Sequence, residues 1–595
     1  MIRVADYIFQ SLEDIGIKTI FTVTGRGTLF LTDALAKNQN LKHVCTHHEQ
    51  GAAFAAMAYA LQKNSFGACL VSTGCASTNV ITAVLCAWQD SIPLVIISGQ
   101  NTLSETTRYS KKKIRTYGQQ EADIIPIVSS ITKYSTMITN PKDIAYEMDK
   151  AIYFANEGKK GPVWIDVPLD IQSSRVELEK LKRFKSKSSQ KINKKINKNL
   201  NFFQEIFNKS KRPAVLIGSG IKSSKTKNEL KNFINKNNIP LVYSNSAPDI
   251  YGSLYKNSIG SVGFMGCSRA GNFVVQNSDL LVVLGNRLSS MTTGTELTKF
   301  ARNAEIVVVD IDELEHKKNS LKIKKIIQIS LENFFSEIKK LKIKKKNNSW
   351  IKKCLHWKKI FPLCEQVRKK SENVDLYYLS EIISKYTPQN STLITDSGLI
   401  EIILPTNIQF NDYFNCIHPT SQGAMGFALP AAVGRYYSDT GNIICVVGDG
   451  SIMMNLQELQ TIVYNKIPIK LIVINNNAYS IIRRRQRDLF RNRTIGTDKN
   501  NGVDCPNFEH IAKCFGLKYM EIKNSKYLKN GYKKLIDTNG PVLCEIKGLE
   551  DQSYIEVSIT KDKNGKFVRR PLEDQWPFLD RELFQSEMIV NSIDQ

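Results

Sequence analysis

Short apolar runs recur along the chain with almost no polar alternation: "TIFTV" (19–23), "GACLVS" (67–72), "IPLVIISG" (92–99) and "GPVWIDVP" (161–168). Between them apolar residues return at helical spacing, as Val4, Ile8, Leu12 and Ile15 do. Strands with two apolar faces, separated by helices, predict parallel sheets covered on both sides. The pattern restarts twice. One restart runs from "RPAVLIGSG" (212–220) through "DLLVVLGNR" (279–287) to "EIVVVDID" (305–312). The other contains "STLITDSG" (391–398), "GNIICVVGDG" (441–450), "IKLIVINNN" (469–477) and "PVLCEIKG" (541–548). The expected fold class is α/β, with three doubly wound parallel-sheet domains. Boundaries fall at 1–175, 201–337 and 366–560. Lysine-rich segments at 176–200 and 338–365 read as linkers, and 561–595 as a tail.

Composition changes this picture little. The chain has 595 residues, more than one core can serve. Its net charge of +26 raises the question of nucleic acid, but the lysines sit beside asparagine and isoleucine, as in "KSSQKINKKINKNL" (187–200). They are not interleaved with aromatics, so a solvated surface explains them and no nucleic-acid partner is expected. None of the twelve cysteines forms a CxxC pair, which argues against zinc or a redox dithiol and for free thiols in a reducing cytoplasm. The amino-terminal stretch lacks the apolar region of a signal peptide. The most membrane-like window, "ACLVSTGCASTNVITAVLCAW" (68–88), is broken by Ser, Thr, Gly and Asn and reads as strand, turn and helix, so no membrane contact is expected.

Chemistry concentrates in "VVGDGSIMMNLQELQTIVYNKIPIKLIVINNN" (446–477). A strand ends in Gly448-Asp449-Gly450-Ser451, a helix follows, and a second strand ends in Asn475-Asn476. Both turns lie at carboxyl ends of parallel strands, where open α/β sheets bind ligands. The glycines let a ligand approach the backbone, and free amides of the next helix suit a phosphate. Asp449 and Asn476 offer hard oxygens suited to Mg²⁺. Taken alone, each turn is equally an ordinary strand-end turn.

This segment resembles the GDG…NN signature of thiamin diphosphate enzymes, and the likeness extends along nearly the whole chain. "HHEQGAAFAAMAYA" (47–60), the run 72–100, "QEADIIPIVSSITKY" (120–134), "KKGPVWIDVPLDIQ" (159–172) and "GAMGFALPAAVG" (423–434) resemble acetolactate synthase segments in order and spacing. The resemblance implies thiamin diphosphate and Mg²⁺ as cofactors. It makes Glu49 the acid that activates the cofactor, although such a residue is also a plain helix N-terminal acid. It assigns cofactor contacts to Ser397, Gly398, Gly423, Met425, Gly448, Asp449, Gly450, Ser451, Asn476 and Ala478. The metal ligands among them would be Asp449, Asn476 and the carbonyl of Ala478. Met425 would support the cofactor from beneath, or else be a core methionine. Gln120 would help position substrates. The cofactor would lie between the first domain of one subunit and the third of another, which implies a homodimer or homotetramer.

Three departures bear on the substrate. Arg26, in "TVTGRGTLF" (22–30), stands where that family has a glycine. The family's FAD signature appears as "GNRLSSMTTG" (285–294), with Arg287 kept and Ser289 and Ser290 in place of two aspartates, so FAD is left in doubt. Arg485, in "RRRQ" (483–486), replaces a tryptophan that shapes the acceptor pocket. Guanidinium groups favour phosphate or carboxylate on the acceptor, although such a run also simply solvates a helix. "RAGNFVVQNSDLL" (269–281) and "RRPLEDQWPFLDRELF" (569–584) resemble acetolactate synthase-like proteins of surface-polysaccharide synthesis. The expected reaction is decarboxylation of a 2-oxo acid, pyruvate above all, with transfer of the two-carbon unit to a carbonyl acceptor such as an anionic keto-sugar nucleotide. Arg26, Lys133 and Arg485 are the candidate substrate contacts. The alternatives are an orthodox acetolactate synthase and a simple 2-oxo acid decarboxylase.

Overall fold

A computed structural model describes residues 1–186, 194–318, 321–561 and 565–593. Each of the three expected domains is a six-stranded, all-parallel sheet with helices on its faces. In the first, the strands lie in the order Lys42–Cys45, Thr19–Thr22, Gly67–Val71, Leu94–Gln100, Val163–Pro168, Tyr134–Met137. The third runs Phe414–Ile417, Ser391–Thr395, Asn442–Gly448, Ile469–Asn475, Val542–Lys547, Lys518–Ile522. Numbered within each domain, both orders read 2-1-3-4-6-5. The central sheet differs, reading 3-2-1-4-5-6 from Ser258–Ser261 across to Ile323–Gln328.

The first and third domains share one core. Helix Glu49–Lys63, rich in alanine and buried over most of its length, packs on helix Ala428–Ser438. Small side chains let the two backbones touch, and a Cβ on Gly434 would lie 1.9 Å from the Ala55 carbonyl oxygen. His48 caps the first helix, its ring nitrogen accepting the Gln50 amide at 3.0 Å, so Glu49 opens that helix at the carboxyl edge of the first sheet.

Two of the lysine-rich segments are more than connections. Within 338–365, helix Asn348–Ile360 buries Trp350, Ile351, Cys354 and Trp357 against the central domain. Those four positions form one helical stripe that the surrounding lysines disguised. The end of 176–200 likewise opens helix Lys194–Lys209, which buries Leu200, Phe203 and Phe207; residues 187–193 of that expected linker lie outside the described residues. The tail is also built in. Gln575 bonds Asn272 at 3.0 Å, Glu573 bonds Gln276 at 2.6 Å and Arg302 at 2.7 Å, and Glu587 takes the Trp357 indole at 2.8 Å. Among the described residues no helix is long and apolar enough to cross a membrane.

Candidate functional site

In the third domain the strand order reverses between Ser391–Thr395 and Asn442–Gly448, and the turns that follow meet there. Asp449 is 3% exposed. Its carboxylate accepts the amides of Gly450 at 2.8 Å, Asn476 at 3.0 Å and Asn477 at 2.7 Å. Burial holds its pKa above the ordinary carboxylate value, opposed by those amides. No lysine, arginine or histidine pairs with it among the described residues. A buried acid held by amides and lacking a cation fits a divalent ion. Space beside it fits a diphosphate: Gly398 has φ +88° with nothing within 4 Å of a would-be Cβ, and Gly448 has only side-chain carbons near that limit. Gly450 is required by close approach, since a Cβ there would lie 1.9 Å from the Tyr479 ring.

The two asparagines have separate jobs. Asn475 is buried, donating to Glu545 at 2.6 Å while its Oδ1 accepts the Asn477 amide at 3.2 Å. The Asn476 backbone amide bonds Asp449, while its side chain accepts the Ala478 amide and donates to Ser480, both at 3.2 Å. Among the described residues no three His, Cys, Asp or Glu side chains gather for a metal. A Mg²⁺ held here would therefore need a mixed donor set, with the Asp449 carboxylate as its one acidic side chain.

Asp396 organises this edge, and sequence reading passed over it. Its Oδ1 accepts the Ser397 amide at 2.8 Å, the Gly426 amide at 3.0 Å and the Ser451 hydroxyl; its Oδ2 accepts the Ala428 amide at 2.8 Å. One carboxylate thus fixes the Ser397–Gly398 turn, the segment holding Gly423 and Met425, and the Ser451 turn. The available signal was an acid at a strand end beside glycine, in "LITDSG". Met425 is half-buried and belongs to none of the apolar clusters. Beside Gly423 lies Glu401, whose pKa burial raises well above the usual value, with Asp90 and Asp396 adding to the rise.

At the first domain's carboxyl edge the structure gathers Glu49, Arg26 and Gln120. Half-buried Glu49 accepts Asn79 at 2.8 Å, and Arg26 donates to Gln119. Gln120 has φ +58° and packs its carbonyl against Gly74. Gln50 ties this edge to the third domain through Asn455, at 3.0 Å, and Asn455 also holds the Gly426 carbonyl at 2.8 Å. Lys133 is not brought to this edge. It precedes strand Tyr134–Met137, its amide bonds Pro162, and its ammonium is taken by the Glu157 carbonyl.

The arginine run resolves into different fates. Arg483 is buried and pairs with Glu550, Asp551 and Asp498. Arg484 binds Glu556 at 2.6 Å and stacks on Tyr554 and Trp576, and Arg487 pairs with Asp551. Arg485 alone among these four makes no close ion pair: it meets the Met265 sulfur at 3.8 Å, feels the Glu556 charge at longer range, and stays exposed.

The central domain was the expected place for FAD. Its switch point lies between Pro213–Ile217 and Leu280–Leu284, where a Cβ on Gly218 would lie 2.4 Å from the Gly285 carbonyl oxygen. Arg287 is committed to the Gln89 carbonyl at 3.2 Å and Ser421 at 2.8 Å, bridging the other two domains. Lys318 holds the Arg287 and Leu288 carbonyls. An edge filled by such contacts does not fit a dinucleotide.

Comparison with known proteins shows the family. Three family models match: the N-terminal TPP binding domain of thiamine pyrophosphate enzymes over 2–127, their central domain over 200–334, and their C-terminal TPP binding domain over 396–546. The chain is 31% identical to an acetolactate synthase large subunit of Cyanidium caldarium, over 89% of this chain and 90% of the relative. It is 28% identical to acetolactate synthase isozyme 1 large subunit of Escherichia coli, over 91% and 93%, and 28% identical to chloroplastic acetolactate synthase 1 of Zea mays, over 91% and 85%.

Proposed function

From the premise that the chain belongs to the thiamine pyrophosphate enzymes of the acetolactate synthase type, we propose that it decarboxylates pyruvate and joins the two-carbon unit to an anionic carbonyl acceptor. Buried Asp449, held by three amides and lacking a cation beside two open glycine turns, carries the cofactor part of this reading. Thiamin diphosphate, when bound, supplies a carbon nucleophile and an electron sink for loss of carbon dioxide. Asp449, Asn476 and Ala478 would hold its Mg²⁺. Ser397, Gly398, Gly448, Gly450 and Ser451 would shape the diphosphate cradle, with Gly423 and Met425 under the rings. Glu49 would hold and return the proton that switches the cofactor on. Gln120 and Arg26 would orient the substrates, and Arg485 would face an anionic group of the acceptor. Lys133 is left out of that set by its position.

By the family resemblance, we place the working site between the first domain of one subunit and the third of another, in a homodimer or homotetramer. All twelve cysteines are free, which supports a reducing cytoplasm. The anionic acceptor, a keto-sugar nucleotide for example, rests on Arg485 and Arg26, neither in a close ion pair, in place of smaller or apolar residues. Orthodox acetolactate synthesis is the second reading, favoured by the names of the relatives. Pyruvate incubated with a panel of carbonyl acceptors, read by product mass, separates the two. Adducts with phosphate-bearing acceptors are expected at rates at least tenfold above 2-acetolactate. Acetolactate alone would overturn the anionic acceptor.

A further inference from the structure

Residues 107–121 form a loop on the carboxyl edge of the first sheet, and they are firmly seated there. The Glu121 carboxylate accepts four donors: the Thr107 amide at 2.6 Å and hydroxyl at 2.7 Å, the Tyr117 amide at 2.6 Å and the Gly118 amide at 3.3 Å. The Gln119 carbonyl takes Asn101 at 3.0 Å, and the Gln119 side chain takes Arg26. The tip of this fixed loop reads "KKKIRTY" (111–117), and all seven residues are exposed.

Lysines that pair with no described acid occur elsewhere too, as at 342, 344 and 345, but here the cations share one ordered loop at the carboxyl edge. Lys222, Lys231, Lys353 and Lys369 each meet a carboxylate, at 3.1, 2.7, 2.6 and 2.7 Å. Lys111, Lys112, Lys113, Arg115 and Arg26 make no ion pair with a described residue, while Arg108 takes nearby Asp123 at 2.7 Å. Of the other local acids, Glu121 is spent on amides and a hydroxyl, and Glu105 takes the Thr102 hydroxyl at 2.7 Å. Like charges held this close on an ordered loop repel one another, and a polyanion relieves the repulsion. A compositional excess of lysine explains their number, but not a loop whose acid is turned inward to fix it beside Arg26 and Gln120.

We propose that the loop 107–121, with Arg26, is the binding site for the phosphate or diphosphate group of the acceptor. Lysines supply charge, Arg115 and Arg26 supply paired donors, and the acceptor's carbonyl is left to reach toward Glu49 on the same edge. This rests on the reading that the acceptor is anionic, and the two are tested apart.

The test uses the full chain saturated with thiamin diphosphate and Mg²⁺, with UDP as the calorimetric probe. UDP is expected to bind the wild type, more weakly as salt rises, because exposed charges are screened. A Lys112→Ser/Lys113→Ser/Arg115→Ser variant is expected to bind at least tenfold more weakly. A control variant, Lys324→Ser/Lys325→Ser on the central domain, is expected to match the wild type. No UDP binding by the wild type, or equal binding by the loop variant, overturns the site. If phosphate-bearing products form but the loop variant binds UDP normally, the site falls and the function stands. If UDP binding is lost in the loop variant but only acetolactate forms, the site stands and the acceptor reading falls.

Discussion

The first and third domains share the strand order 2-1-3-4-6-5, yet their carboxyl edges carry opposite chemistry. The third presents two buried acids, Asp396 and Asp449, wrapped in backbone amides and flanked by open glycine turns. The first presents exposed cations, Arg26 and the tip of the loop 107–121, around Glu49. Topology fixes where a ligand can sit, at the point where strand order reverses. The side chains at the strand ends then decide what sits there. An edge of buried carboxylates calls for a metal and the phosphates it neutralises; an edge of unpaired cations calls for anionic substrate. The central domain shows a third arrangement, an edge where Gly218 meets the Gly285 carbonyl closely and Arg287 is committed to Gln89 and Ser421.

The sharpest way to break the comparison is to remove the charge at the heart of the third-domain edge. Asp449→Asn keeps the shape and deletes the anion that Mg²⁺ would meet. Turnover is expected to fall at least about 100-fold, and the stabilisation of the protein by thiamin diphosphate with Mg²⁺, read by thermal unfolding, is expected to vanish. Retained stabilisation would mean that the metal is held elsewhere. A smaller effect is expected from Asp396→Asn. The amide at 396 turns a donor toward either the Ala428 amide or the Ser397 and Gly426 amides, so at least one bond of the hub is lost and its turns loosen. The half-saturating thiamin diphosphate concentration is expected to rise about tenfold, on the order of 1.4 kcal/mol, with maximal turnover reduced less. An unchanged cofactor dependence would demote Asp396 to a purely structural acid.

Much of this was legible in the sequence because the signals were local. Apolar runs feeding Gly-Asp-Gly and Asn-Asn turns fix which strand ends carry chemistry, whatever the sheet order. Other features were hidden for identifiable reasons. The stripe Trp350, Ile351, Cys354, Trp357 was masked by lysines that make the same helix look like a linker. The segments 269–281 and 569–584, singled out separately, turn out to be one contact: Arg269 holds the Gln575 carbonyl at 3.1 Å, and Asn272 holds the Gln575 side chain. Sequence distance conceals such pairs. In the arginine run, Arg483 and Arg487 share a helix face and both reach Asp551. Which arginine would stay free depended on acids at 550, 551 and 556, from a different part of the chain.

The smallest expected effect tests how tightly the two edges are coupled. Asp90, from the first domain, accepts the hydroxyl of Ser421 in the third, and Ser421 in turn takes Arg287 of the central domain at 2.8 Å. Burial raises the Asp90 carboxyl to about 6, against the Ser421 bond and the charge of Arg287, and Glu401 lies near enough to feel Asp90. Unfolded, the same group titrates near about 4. The folded state therefore binds this proton more tightly, so its contribution favours folding below about pH 4 and is lost as pH rises to about 6. Asp90→Asn keeps an oxygen for Ser421 and removes the titration. Relative to wild type, the variant's apparent unfolding temperature is expected to rise by roughly one to three degrees between pH 4.5 and 7, measured by calorimetry at matched scan rate. A difference that stays flat or falls over that range would show that Arg287 neutralises Asp90 in full. The joint between the edges would then be an ion pair that pH does not loosen.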